Sequence, residues 1–130
     1  MDAMTMCPCG SGRPGEECCE PLLRGETSAP TAVALMRSRY TAFVRRDEAY
    51  LRQTWHPRTR PRRVLFEAGL RWDRLEVIGQ AGGSLFDSEG TVTFAAHYTM
   101  DGRPGVLREE SQFVREEGGW LYIGPRSSER

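Results

Sequence analysis

The chain has 130 residues, 38% hydrophobic and 28% charged, with 18 basic and 18 acidic side chains and a formal net charge of zero. That length fits one compact domain plus a small appendage, and the apolar share supports a core and excludes a disordered chain. Nucleic-acid binders usually carry a basic excess, so the balanced charge argues against that class. All of the basic residues are Arg, which reads as compositional bias rather than chemistry. The opening residues, MDAMTMCPCG, hold no apolar run of the kind a signal peptide needs. No stretch approaches the ~18 consecutive apolar residues of a membrane span. The expectation is a cytoplasmic protein without membrane association.

The first element in the chain is CPCGSGRPGEECC, residues 7 to 19, which holds all four cysteines. Disulfides are one reading, but two bridges closing so short a loop are strained, and they suit an oxidising compartment. A redox site is a second, but it would show Cys-x-x-Cys opening a helix, and that spacing is absent. The third is zinc: four thiolates complete a tetrahedral shell with no open position, which makes a closed, structural site. Gly10 and Gly12 permit the positive φ that lets a backbone curl around an ion and aim N–H groups at sulfur. Pro8 stiffens the link between Cys7 and Cys9, and Pro14-Gly15 is a turn signal that returns the chain to Cys18 and Cys19. A segment this short buries no core, so a metal would supply its folding energy.

The Cys-x-Cys-Gly-Ser-Gly run with its closing Cys-Cys resembles the SEC-C motif, the zinc motif at the C-terminal end of the preprotein translocase motor SecA. The resemblance implies that Cys7, Cys9, Cys18 and Cys19 are zinc ligands and that the segment meets a protein partner. Between the cysteine pairs only Arg13 is basic, and Glu16 and Glu17 are acidic, which argues against an acidic partner.

EPLLRGETSAP reads as a linker, dividing a zinc segment at 1–26 from a domain at 27–130. Ser28 or Ala29 caps the next helix, with Pro30 in its first turn. TAVALMRSRYTAFVRRD places Val33, Met36, Tyr40, Phe43 and Val44 at helical spacing. DEAYLRQTW reads as a second, short helix with Asp47 as N-cap and Tyr50, Leu51 and Trp55 inward. Pro57 ends it, because the residue before proline avoids the α region. RTRPRR is a basic loop, followed by a helical turn through VLFEAG; solvation, or an anion or partner contact, would explain its arginines.

From Arg71 the period changes to two. WDRLEVIGQ, GTVTFAAHYTM, GVLREESQFVRE and GWLYIGP read as strands, with DSEG, DGRPG and EEGG as turns. The last three strands are expected to pair as an antiparallel meander. Helices followed by a curved antiparallel sheet make an α+β domain, the helix pair covering one face of the sheet. Together, the N-terminal cysteine motif, LMRSRYTAF, YLRQTWHP, LREESQF and the terminal Trp-x-Tyr resemble the YchJ family of small bacterial proteins. That resemblance implies a nuclear transport factor 2-like fold, a cone of curved sheet closed by helices. It allows a homodimer through the sheet and brings no activity with it.

Strand alternation points to a site inside the cone. Leu107, Glu109, Ser111 and Phe113 share the more apolar face of their strand, so Glu109 is expected on the concave side, where a carboxylate must be paired. Leu35, Arg39 and Phe43 fall at i, i+4 and i+8 of the first helix, which makes Arg39 the expected partner. Tyr40, Trp55 and His56 complete the pocket candidates with Arg39, Glu109 and Ser111. His56 is expected to contact the last carbonyls of the second helix, and His97 to be half-exposed. Trp55, Trp72 and Trp120 read as core and rim packing, and Tyr98 and Tyr122 as hydroxyls at the cone mouth. Two functions follow: a non-catalytic protein-interaction module with a structural zinc, or a small-molecule-binding or enzymatic cone with a charged pocket at Glu109 and Arg39.

Overall fold

The computed structural model describes residues 5–129, with side chains as far as Arg126. Four strands, β1 (Leu70–Gly82), β2 (Glu89–Met100), β3 (Arg103–Glu116) and β4 (Gly119–Glu129), form one antiparallel sheet in sequence order. The first strand thus extends the expected meander to four. The period of two is visible in the side chains: Val92, Phe94 and Ala96 of β2 and Ser111 and Phe113 of β3 are buried. The ladder shifts register between Trp72 and Arg74, between Val77 and Gly79, and twice in the β3–β4 pairing. Each such irregularity adds bend and twist, and together they curl the sheet so that its inner faces converge.

Among the described residues of the first half, a 3-10 turn at Gly15–Glu17 precedes three α-helices: α1 (Glu20–Leu23), α2 (Ala32–Arg45) and α3 (Glu48–Gln53). Thr31, rather than Ser28 or Ala29, caps α2, its hydroxyl accepting from the Ala34 N–H at 3.1 Å. The reason is tertiary. The Ala32 N–H donates to the Gly83 carbonyl at 3.0 Å, and the Trp120 indole donates to the Pro30 carbonyl at 3.2 Å, so the sheet fixes where the helix begins. Gly83 has φ +78°, and a Cβ there would stand 2.7 Å from that of Ala32, so the close approach needs glycine. Arg46, in the left-handed region, ends α2, and Asp47 caps α3 through the Tyr50 N–H, as the sequence predicts.

Two stretches differ from the sequence reading. EPLL is a helical turn rather than linker, because Leu22 is drawn into the core and Pro21 suits a first turn. VLFEAG is irregular rather than helical. The Val64 N–H is taken by the Glu48 carboxylate at 2.9 Å, and Phe66 packs edge-on against Phe43. Val44, expected inward, is exposed.

The cysteine segment does not stand apart from this core. The Arg37 guanidinium donates to the Cys9 carbonyl at 2.7 Å, Cys7 Sγ meets the Thr41 hydroxyl at 3.6 Å, and Arg45 pairs with Glu20 at 3.3 Å. It is therefore seated against α2, whose other side faces the sheet. Among the described residues no helix is long and apolar enough to cross a membrane.

Candidate functional site

Two groups of side chains carry chemistry. The first is the cysteine cluster. The Sγ atoms of Cys7, Cys9, Cys18 and Cys19 all lie within 4.8 Å of one another, and none is in a disulfide. A tetrahedral shell with bonds of about 2.3 Å sets its sulfurs ~3.8 Å apart. Cys9 and Cys18 at 3.5 Å, and Cys18 and Cys19 at 3.9 Å, already sit at that spacing. Gly10 and Gly12, at φ +79° and +86°, make the curl, and the Ser11 hydroxyl stands 3.2 Å from Cys18 Sγ.

The proton distribution in this cluster is uneven. A hydrogen bond from Cys19 holds the Cys9 thiol down at about 4, and the same contact pushes Cys19 up, while burial raises Cys18. A cation bound among the four sulfurs would stabilise them as thiolates. Soft, mutually close and four in number, with Cys7, Cys9 and Cys19 buried and Cys18 half-buried, these residues fit a metal ion.

The second group lines a cavity of about 190 Å³ between α2 and the sheet. Met36, Arg39, Tyr40 and Phe43 come from one stripe of α2, Trp55 from the turn after α3, Trp72 from β1, and Phe94 and Ala96 from β2. Leu107, Glu109 and Ser111 come from β3 and Tyr122 from β4. Of the six sequence candidates, Arg39, Tyr40, Trp55, Glu109 and Ser111 meet in this wall.

His56 does not line it. Its Nδ1 accepts from the Arg58 N–H at 3.1 Å, so Nε2 carries the proton and faces Glu116 at 3.0 Å. That pull toward the end of β3 replaces the helix-capping contact expected from sequence. His97 lies on the convex face beside Glu76, at 3.3 Å.

Arg39 and Glu109 share the wall without forming the expected ion pair. Arg39 Nη1 donates to the Leu51 carbonyl at 2.8 Å and the Thr54 hydroxyl at 2.7 Å, both at the end of α3. Its guanidinium also lies over the Trp55 and Tyr122 rings, 4.8 and 4.5 Å from their centroids. Burial lowers the Arg39 pKa to about 10. Glu109 Oε2 instead accepts from the Ser111 hydroxyl at 2.5 Å and from Tyr122 at 2.9 Å. Burial, and then the Glu109 charge, push the Tyr122 phenol upward, so it remains a donor.

Tyr122 is the residue that sequence reasoning undervalued. Its alternation with Trp120 was the available signal, but the hydroxyl's target sits on the neighbouring strand. The Trp55 indole N–H is buried without a partner among the described residues. Around the basic loop, Arg60 donates to the Trp55 carbonyl and Arg63 pairs with Glu48, so these arginines tie the loop to α3.

A curled four-stranded sheet closed by helices, with a four-cysteine segment on the back of the covering helix, defines a nuclear transport factor 2-like domain with an N-terminal SEC-C-type segment. Comparison with known proteins agrees and is more specific. Residues 31–125 match the family model described as "YchJ, middle NTF2-like domain". A UPF0225 protein of Streptomyces avermitilis is 55% identical over 117 residues, 90% of this chain and 81% of that one. One from Deinococcus radiodurans is 41% identical over 90% of this chain and 85% of its own. The chain belongs to the family of YchJ and UPF0225 proteins.

Two solved structures share the whole architecture. A SEC-C motif containing protein from Rhodopseudomonas palustris, solved in solution, has 33% identity and a TM-score of 0.81, over 93% of this chain and 97% of that one. A crystal structure of a SEC-C motif containing protein from Psychrobacter arcticus has 25% identity and a TM-score of 0.75, over 95% and 83%.

Proposed function

We propose that this protein is a small-molecule-binding cone whose covering helix is braced by a zinc-filled cysteine segment. The observation that carries the reading is the cavity of about 190 Å³ with a carboxylate and a guanidinium in an otherwise largely aromatic wall. Ligand sites are concave, mostly apolar and furnished with a few placed polar groups, and a filled core has no use for such a hollow.

Cys7, Cys9, Cys18 and Cys19 would hold the zinc, whose chemistry here is a closed cross-link of the segment. These residues contribute four thiolates, and the Arg37 and Thr41 contacts pass that rigidity to α2. Arg39 braces α2 against α3, and Glu109, Ser111 and Tyr122 form the polar end of the cavity. Benzene titration followed by the indole N–H signals of Trp55 and Trp72 tests the reading. Saturable shifts are expected, and Ala96→Leu, which fills the hollow, should abolish them. Absence of any saturable shift in the parent protein overturns it.

A second reading, a protein-docking role for the cysteine segment, draws on exposed Met6 beside exposed Arg13, Glu16 and Glu17. It has the weaker support, because the buried side of that segment is already occupied by α2. A pull-down comparing the intact protein with Cys18→Ser tests it: a partner retained by the variant removes the zinc segment as the docking element.

A further inference from the structure

We infer that the ligand of this cone is an uncharged molecule about one ring in size, whose hydroxyl or N–H donates to Glu109 Oε1; the inference rests on the cavity being a ligand site. Size comes first. A dry apolar cavity of about 150 Å³ accommodates benzene, and this one is about 190 Å³, so one ring with a substituent fills it. The ring's surroundings are present: Trp72 meets Tyr40 and Phe43 edge to face at centroid distances of 6.4 Å, and Phe94, Met36 and Leu107 complete that wall.

Charge comes second. The wall holds one cation, Arg39, and one anion, Glu109. A charged ligand would leave one charge in excess in a largely apolar space, which is costly. Arg39 is also poorly placed to seize a carboxylate. Recognition of that kind uses the guanidinium fork, but Nη1 is already committed to Leu51 and Thr54 and the group is held over two aromatic rings.

The polar contact comes third. Both hydroxyls that reach Glu109 converge on Oε2, and among the side chains described, as far as Arg126, no donor reaches Oε1. An ionised carboxylate is acceptor-only, with about four lone-pair sites, so the group asking for a partner asks for a donor. Ser111 and Tyr122 fix the carboxylate's orientation, which makes them positioning residues for that contact.

The test is a titration panel on the full zinc-loaded chain, read by indole N–H shifts: benzene, phenol, anisole, benzoate and benzylamine. Phenol is expected to bind at least about tenfold more tightly than anisole, which has the same ring and oxygen but no donor, since leaving a buried acceptor unmade costs about that factor. Benzoate and benzylamine should bind more weakly than phenol. In Glu109→Gln the side-chain oxygen keeps Ser111 and Tyr122 and turns an NH2 toward the ligand, so the preference for phenol over anisole should fall below about threefold. Ser111→Ala, which retains the Tyr122 bond, should keep most of it.

Equal binding of phenol and anisole by the parent protein overturns the donor assignment, and tighter binding of either charged probe overturns the neutral one. Both results leave the cavity as a ligand site. Failure of every probe, benzene included, removes the ligand-site reading itself. Should Glu109→Gln fail to fold, the comparison of phenol with anisole in the parent protein decides alone.

Discussion

Residues 7–19 supply every thiol of the cysteine cluster, whereas the cavity draws its wall from α2, the turn after α3 and all four strands, from Met36 to Tyr122. The first is a local object. Two glycines and a proline turn bring four sulfurs together, and the zinc proposed for them would supply the cohesion. The second exists only once the sheet has curled and α2 has been fixed across it. The two meet on one helix: Thr41 and Arg37 face the cysteines, while Met36, Arg39, Tyr40 and Phe43 face the hollow. With the proposed zinc bound, the local site would stiffen a pocket assembled from distant residues.

Breaking the local half should have the largest effect. Cys9→Ser, or zinc removal by a chelator, is expected to lower stability by about 4 kcal/mol or more, a fall of roughly 10 °C or more in Tm. Metal analysis should go from about one zinc per chain to none. Hydrogen exchange sharpens the comparison. If the segment braces α2, amides of α2 lose protection together with those of the cysteine segment; protection lost in the segment alone would show the two halves to be independent.

The next largest effect is expected at the joint of the cavity. Arg39→Ala removes a buried side chain and strips the Leu51 carbonyl and Thr54 hydroxyl of their donor. A loss of about 2–4 kcal/mol follows, measurable by urea unfolding. Glu109→Gln, by contrast, keeps an acceptor for Ser111 and Tyr122 and breaks no ion pair, so a loss below about 1 kcal/mol is expected. Equal, large losses at both positions would show that the two charges depend on each other for stability after all.

That contrast shows what could be read from the sequence and what could not. Cysteine spacing is one-dimensional information, and so is the period-two pattern that laid out the sheet and turned Glu109 and Ser111 to its inner face. The α2 stripe was equally legible, since i, i+3 and i+4 spacing fixes a helix face. What failed was the choice of partner. The sequence suggests Glu109 as the partner of Arg39, but a long side chain pointing off α2 also passes the end of α3, whose free carbonyl takes it. His56 went to Glu116, far along the chain, for the same kind of reason. The N-cap of α2 was settled by a hydrogen bond to Gly83, which no local capping rule contains.

The smallest expected effect lies outside both regions, at Glu48. Its carboxylate accepts from the Val64 N–H at 2.9 Å and pairs with Arg63 at 3.0 Å, and these contacts hold its pKa below the ordinary 4.5. The folded chain therefore keeps Glu48 ionised at a pH where the unfolded chain has protonated it. The stabilisation is fully present above the unfolded value and is lost as pH falls through the folded one. Glu48→Gln should flatten the acid limb of a stability-versus-pH curve by lowering stability at pH 7 and leaving it unchanged at low pH, and the loss should be small because the ion pair lies at the surface and is screened. The comparison with Glu109 is direct. Glu48 fastens a loop to α3 and should affect stability alone, so any loss of benzene binding in Glu48→Gln would show that the loop after α3 reaches into the cavity wall.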